Sequence, residues 1–185
     1  VKYCGNEGTI TGTSGNIGGV VGYVAAKNDE NDKIYADISY CYNFGEVNST
    51  KKANASGILG YTKSQYVQIS NCLSGGKAAT GEGGKTFAVY VNKFKPVDGS
   101  IKNNTIVEGV AEFVSSEDTA VTDITDTVAA AAVGSGELAY NLNKVFGKNF
   151  FRQTLGTDAH PTTKSGSKVV AVSYTHLTLP TTSRV

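Results

Sequence analysis

Three cysteines, Cys4, Cys41 and Cys72, stand in the first 72 residues. Thiolates can bind zinc or form a redox pair, but metal sites place them close together, as in Cys-x2-Cys. Here the intervals are 37 and 31 residues, with no histidine between them. Each cysteine also travels with its neighbours: Tyr3, Cys4, Asn6 and Gly8 return as Tyr40, Cys41, Asn43 and Gly45. Residues that return as a set read as rungs of a repeating structure, where a cysteine acts as a small buried hydrophobe. A disulfide between two stacked neighbours is the alternative. Asp158 and His160, with Arg152, form the other tempting cluster. No nucleophile, base and orienting group can be recognised there, and a Pro turn explains the three residues equally well. The loop at 27–33, "KNDENDK", carries Asp29, Glu30 and Asp32. It lacks the ligand spacing of a calcium loop and reads as a solvated corner. The expectation is a chain with no catalytic, cofactor or metal residues, and not an enzyme.

The elements that position these residues follow from a second repeat. "GGVVGYV" at 18–24 returns as "SGILGYT" at 56–62, so Gly19, Gly22 and Tyr23 match Gly57, Gly60 and Tyr61. A third cysteine unit, "ISNCLSGGKA", puts Ile69, Cys72 and Gly76 where Ile38, Cys41 and Gly45 stand, with Ser74 for the asparagine. A fainter fourth, "IKNNTIV", puts Asn104 in the place of Cys72, and "FAVYV" at 87–91 is a decayed glycine unit. Cys4 to Gly22 is 18 residues and Cys41 to Gly60 is 19, which suggests a turn of about 18 residues in a stacked β structure. The nearly continuous apolar runs suit buried parallel strands. Glycine and asparagine are expected at corners that need left-handed backbone. Stacked turns would let Asn6 hydrogen-bond Asn43 side chain to side chain. The fold expected is mainly β: a right-handed parallel β-helix or solenoid with a short C-terminal helix and capping strands. A β-sandwich is the alternative.

Composition narrows the function. The chain has 185 residues, 22 of them glycine, and a formal net charge of +1. Its lysines are scattered singly, whereas nucleic-acid binding needs clustered Lys and Arg. No apolar run approaches the roughly 20 residues of a membrane helix, so neither nucleic acid nor membrane insertion is expected. The chain contains no Met and starts inside a repeat, so its amino end is expected to be truncated.

Four regions are expected: repeats at 1–110, an acidic Thr-rich edge or linker at 111–133, a helix-plus-strands cap at 134–171, and a foreign tail at 172–185. In the cap, Leu138, Leu142 and Val145 fall on one helical face. Ser135 can cap the start of that helix, Lys144 suits its last turn, and Gly147 suits its stop. A turn at 156–158 then separates two strands, and the aromatics Phe150 and Phe151 should seat the helix on the last turn of the repeats. The tail contains "VSYTHLTLPT", which is similar to the translation of a transposon adaptor from sequencing libraries. It is set aside as adaptor-derived.

"GGVVGYV" and "SGILGYT" resemble the GLUG motif of large bacterial surface proteins, including some IgA-specific peptidases. "YCGNEGTITG" and "CYNFGEVNST" are similar to the units that accompany that motif. The resemblance covers residues 1–80 well and 81–110 poorly. It implies an extracellular or cell-surface repeat region: a non-catalytic structural or adhesive module whose partner is a host surface protein or glycan. Two alternatives stand beside it. One is an accessory region of a surface peptidase or polysaccharide-degrading enzyme; the other is a glycan-binding module that uses exposed tyrosines, of which the chain has 10.

Overall fold

The computed structural model describes residues 1–13, 15–25, 36–92, 96–97, 99–115 and 125–170. Within them the chain is mainly β with two short helices. A first passage carries β1 (Gly5–Asn6), β2 (Ile10–Gly12), β3 (Ile17–Gly18) and β4 (Val21–Val24). A second carries β5 (Ala36–Ser39), β6 (Tyr42–Asn43), β7 (Val47–Ser49), β8 (Ala55–Ser56) and β9 (Leu59–Thr62). A third holds β10 (Val67–Ser70), β11 (Leu73–Ser74), β12 (Ala78–Thr80) and β13 (Thr86–Asn92). Then come β14 (Ile101–Lys102), β15 (Asn104–Val107), β16 (Phe113–Ser115) and β17 (Thr125–Val128).

Each strand pairs in parallel with its counterpart one passage away, giving sheets ordered β1-β6-β11-β15-β17, β14-β10-β5, β12-β7-β2 and β3-β8-β13-β9-β4. The register fixes the period. Gly5 pairs with Tyr42, 37 residues on; Ile38 pairs with Ile69, 31 on; and Val21 pairs with Leu59, 38 on. One return of the chain therefore takes 31–38 residues through four or five short strands, not the 18 expected. The cysteine and glycine motifs are not successive turns. They lie in different sheets of the same return and face each other, since a Cβ on Gly19 would lie 2.5 Å from Asn43 Cγ.

The interior is built from columns. Ile38, Ile69 and Ile101 lie in register and are buried, as are Cys41 and Cys72. The pairing of Leu73 with Thr105 places Asn104 next in the cysteine column, and Asn104 Oδ1 there accepts the Cys72 amide at 3.0 Å. Asn6 Nδ2 donates to Asn43 Oδ1 at 2.8 Å, the ladder bond expected from the repeat. Asn43 Nδ2 continues to Gly45 O at 3.0 Å, so this fully buried amide is satisfied.

Glycine works differently from the expectation. Gly8, Gly45 and Gly76 are stacked so closely that a Cβ on Gly45 would lie 2.0 Å from Gly8 O, and one on Gly76 would lie 2.0 Å from Gly45 O. None of the three has positive φ; what they supply is room for the neighbouring backbone. The left-handed corners belong to a column of other residues: Tyr3 (φ 59°), Tyr40 (54°), Asn71 (54°) and Asn103 (53°). Asparagine tolerates this region, but tyrosine does so at a cost of about 1–2 kcal/mol. Cross-passage bonds hold the corners in place: the Tyr3 amide donates to Ser39 O, that of Tyr40 to Ser70 O, and that of Asn71 to Lys102 O.

Helix α1 (Ala130–Gly134), which the sequence reading did not anticipate, leads into α2 (Glu137–Phe146). Ser135 Oγ accepts the Glu137 amide at 3.2 Å. At the other end Gly147, at φ 64°, turns its amide back onto Asn143 O. Leu138 and Leu142 are buried as expected, while the side chain of Val145 lies outside the described residues. The placement of the helix differs from an end cap. Leu138, Ala139, Leu142 and Phe151 pack against Tyr42 and Leu73, so α2 lies along the outer face of the five-stranded sheet. Complete burial of Phe151 stabilises this contact by about 1.5–3 kcal/mol. The turn at Gly156 forms, but in place of the two flanking strands there is an isolated antiparallel bridge between Arg152 and Thr162. Of the acidic edge at 111–133, β16 and β17 join the sheets.

Candidate functional site

The residues singled out in the sequence form the frame. Asn6 and Asn43 make the ladder bond, and Gly8, Gly45 and Gly76 are stacked carbonyl to Cα. Gly19 and Gly57 face Asn43 and Ser74, and Gly60 sits against Gly18 and Gly22. Gly22 differs, because nothing lies within 4 Å of a Cβ built on it. All three cysteines are free thiols; Cys41 and Cys72 are buried, but Cys4 is exposed, contrary to the expected buried rung. Each Sγ points to the carbonyl two residues back: Cys4 to Lys2 O at 3.4 Å, Cys41 to Ser39 O at 3.3 Å and Cys72 to Ser70 O at 3.4 Å. The hydrogen bond between the two buried thiols lowers Cys41 to about 7, whereas burial pushes Cys72 well up.

Arg152, Asp158 and His160 serve separate contacts. Arg152 Nη1 donates to Ser165 O at 3.2 Å, and the Asp158 carboxylate accepts the Thr154 amide, which holds its pKa down. The His160 ring stacks on Phe44, with centroids 4.0 Å apart. These contacts fasten residues 150–170 onto the sheet. Glu7 completes the fastening: Tyr42 Oη donates to it at 2.8 Å, Thr162 Oγ1 at 3.2 Å, and Lys164 forms an ion pair with it. Burial works to raise the Glu7 carboxyl, but the hydrogen bonds from Lys164, Tyr42 and Thr162 outweigh it and hold the pKa below its ordinary 4.5. The loop at 27–33 and the tail at 172–185 lie outside the described residues.

The concave surface lies elsewhere, along the corner column where α2 ends. On one side of Phe146 is a cleft of about 160 Å³ lined by Tyr3, Tyr40, Lys148 and Phe150. Its rings touch one another: Tyr3 stacks on Tyr40 at 5.3 Å, Tyr3 meets Phe150 at 4.9 Å, and Tyr40 meets Phe146 edge-on at 5.5 Å. On the other side of Phe146 is a pocket of about 320 Å³ between α2 and the sheet, whose polar lining includes Asn103, Thr105, Asp126 and Asn141. A second tyrosine pair, Tyr23 on Tyr61 at 5.9 Å and 9° between planes, lies in β4 and β9. Tyr3 and Tyr23 are 55% and 51% exposed, so the tyrosine ladders are accessible rather than internal.

Sequence reasoning noted the recurrence of Tyr3 as Tyr40 but not this groove. The only signal for it was that recurrence together with the aromatic pair at 150–151. No known protein family, curated protein or solved structure matches the chain. Among the described residues, no helix is long and apolar enough to cross a membrane.

Proposed function

We propose that the repeats form a right-handed β-solenoid and that the chain is a non-catalytic structural and adhesive module of a secreted or surface-anchored bacterial protein. The observation that carries this reading is the in-register parallel stacking of like residues, with the Asn6–Asn43 bond at 2.8 Å as its clearest mark. Stacking of this kind lengthens by the inter-strand spacing of roughly 4.8 Å per return and presents side chains at a fixed pitch. The likeness of "GGVVGYV" and "SGILGYT" to the GLUG motif favours an extracellular setting. Display is tested with antibodies raised against the recombinant chain and applied to intact and lysed cells that carry the gene. Labelling of intact cells is the expected result; labelling only after lysis overturns the surface assignment. The exposed Tyr3 and Tyr23 favour the glycan-binding reading over that of an enzyme's accessory region.

A further inference from the structure

We propose that the groove divided by Phe146 binds a neutral oligosaccharide, one sugar lying on the aromatic cleft and the next entering the polar pocket. The proposal rests on the module reading for its exposure to external glycans and names the ligand class that the module would hold.

Aromatic boxes for quaternary ammonium groups surround the cation with rings. Here the rings of Tyr3, Tyr40 and Phe150 are packed on each other at 4.9–5.9 Å, so they form a continuous platform, not a cage. A platform suits the flat C–H face of a pyranose, because an aromatic ring combines a large apolar face with fixed geometry. Beyond Phe146 the surface changes character. Asp126 supplies a carboxylate, Asn103 and Asn141 supply amides, and Thr105 supplies a hydroxyl. Planar amides and carboxylates offer paired acceptors and donors, the chemistry that vicinal sugar hydroxyls require. Among the described residues, the side chains of Asn103, Asp126 and Asn141 have no hydrogen-bond or ionic partner in the protein, so their capacity is free for a ligand. At about 320 Å³, the pocket lies at the lower end of the roughly 300–1,000 Å³ of small-ligand sites.

Charge decides against the other ligand classes. The polar pocket has a carboxylate and no Lys or Arg in its lining, so phosphates and acidic sugars would meet repulsion at Asp126. A single carboxylate is too few for a cation site, and no metal-ligating cluster occurs among the described residues. The sequence order of the groove is also informative. Tyr3, Tyr40 and Asn103 belong to the left-handed corner column, so the repeating backbone sets their spacing, and α2 supplies Phe146 and Asn141 as the opposite wall. A chain of sugars is itself a repeating ligand and can follow such a column.

The test uses the recombinant full chain against a panel of neutral gluco-, manno- and galacto-oligosaccharides of two to four units. Retention on an array is followed by titration calorimetry of the retained sugar. Asp126→Ala and Asn141→Ala, both at exposed positions, should each weaken binding at least tenfold, and Tyr3→Ala should do the same through the platform. Tyr23→Ala removes the other exposed tyrosine and should leave the affinity within twofold. Circular dichroism checks that each variant keeps the wild-type fold. The proposal is overturned if no neutral oligosaccharide is retained, if only acidic sugars or peptides are, or if Tyr23→Ala abolishes binding that Asp126→Ala spares. Absence of sugar binding alongside labelled intact cells defeats this proposal alone, whereas unlabelled intact cells defeat the module reading.

Discussion

Gly45→Ala and Gly22→Ala change two glycines that the repeats present as equivalent types, yet their consequences should differ. At position 45 the new methyl group would lie 2.0 Å from Gly8 O, 2.5 Å from Asn6 Nδ2 and 2.8 Å from Gly8 C. Apolar contacts are comfortable at about 3.5–4.0 Å, and a backbone carbonyl cannot swing aside as a side chain can. The two passages must part locally, an overpacking strain of about 1–3 kcal/mol. Parting them also strains the bonds of Asn6 Nδ2 to Gly8 O at 2.9 Å and to Asn43 Oδ1 at 2.8 Å, each worth about 0.5–1.5 kcal/mol. The sum is about 3 kcal/mol, or a melting temperature roughly 6–12 °C lower for a chain of this size. At Gly22 nothing lies within 4 Å and φ is not positive, so Ala should stay within about 0.5 kcal/mol of wild type. Urea unfolding followed by circular dichroism reads both, as a shift in midpoint at constant slope. A Gly45→Ala protein as stable as wild type, or a Gly22→Ala protein as damaged as Gly45→Ala, would falsify the close-stacking account of the glycine column.

Asn143 holds the Phe151 backbone from both sides, its Oδ1 accepting at 2.8 Å and its Nδ2 donating at 2.7 Å. Asn143→Ala should therefore cost about 2–3 kcal/mol and make residues 150–170 the first site of limited proteolysis, with the strands still intact by circular dichroism. The lowered pKa of Glu7 gives the docking of that segment a definite pH dependence. A carboxyl depressed on folding contributes stability above its ordinary 4.5 and loses it as pH falls through the folded value. Amide exchange in residues 150–170 should therefore rise, relative to the strands, as pH falls below about 4.5, and Glu7→Gln should flatten that dependence; an unchanged profile refutes the role of the ion pair. In the native protein a thiol reagent should modify Cys4 rapidly, and should reach Cys41 and Cys72 only on unfolding; rapid modification of all three contradicts the buried column.

What the sequence revealed was whatever repeats in register. Asn6 with Asn43, Gly19 with Gly57, and Asn104 in the place of Cys72 were all legible because stacked strands impose the same environment on equivalent residues. The period was misjudged for a physical reason: the cysteine and glycine motifs look like two similar units, but they form opposing walls of one return. A second misreading concerned glycine, whose backbone freedom is the usual reason for its presence, whereas here close backbone approach excludes a side chain. The left-handed tyrosines had no signature, since nothing about Tyr3 or Tyr40 announces positive φ. The groove was illegible because its walls come from Tyr3, Asn103, Asp126 and Phe146, which are brought together by α2 lying on the sheet.

That placement of α2 has a mechanical consequence. A stack of strands pulled from its two ends can peel one passage at a time, each giving way at small force. Here Lys164 grips Glu7 across 157 residues, while Phe146 and Phe150 grip Tyr40. Tension applied between residues 1 and 170 meets these lateral contacts first and loads them together. The helical segment thus works as a buckle across the stack: closed, it shields the passages from stepwise unravelling; once released, it exposes every passage to it.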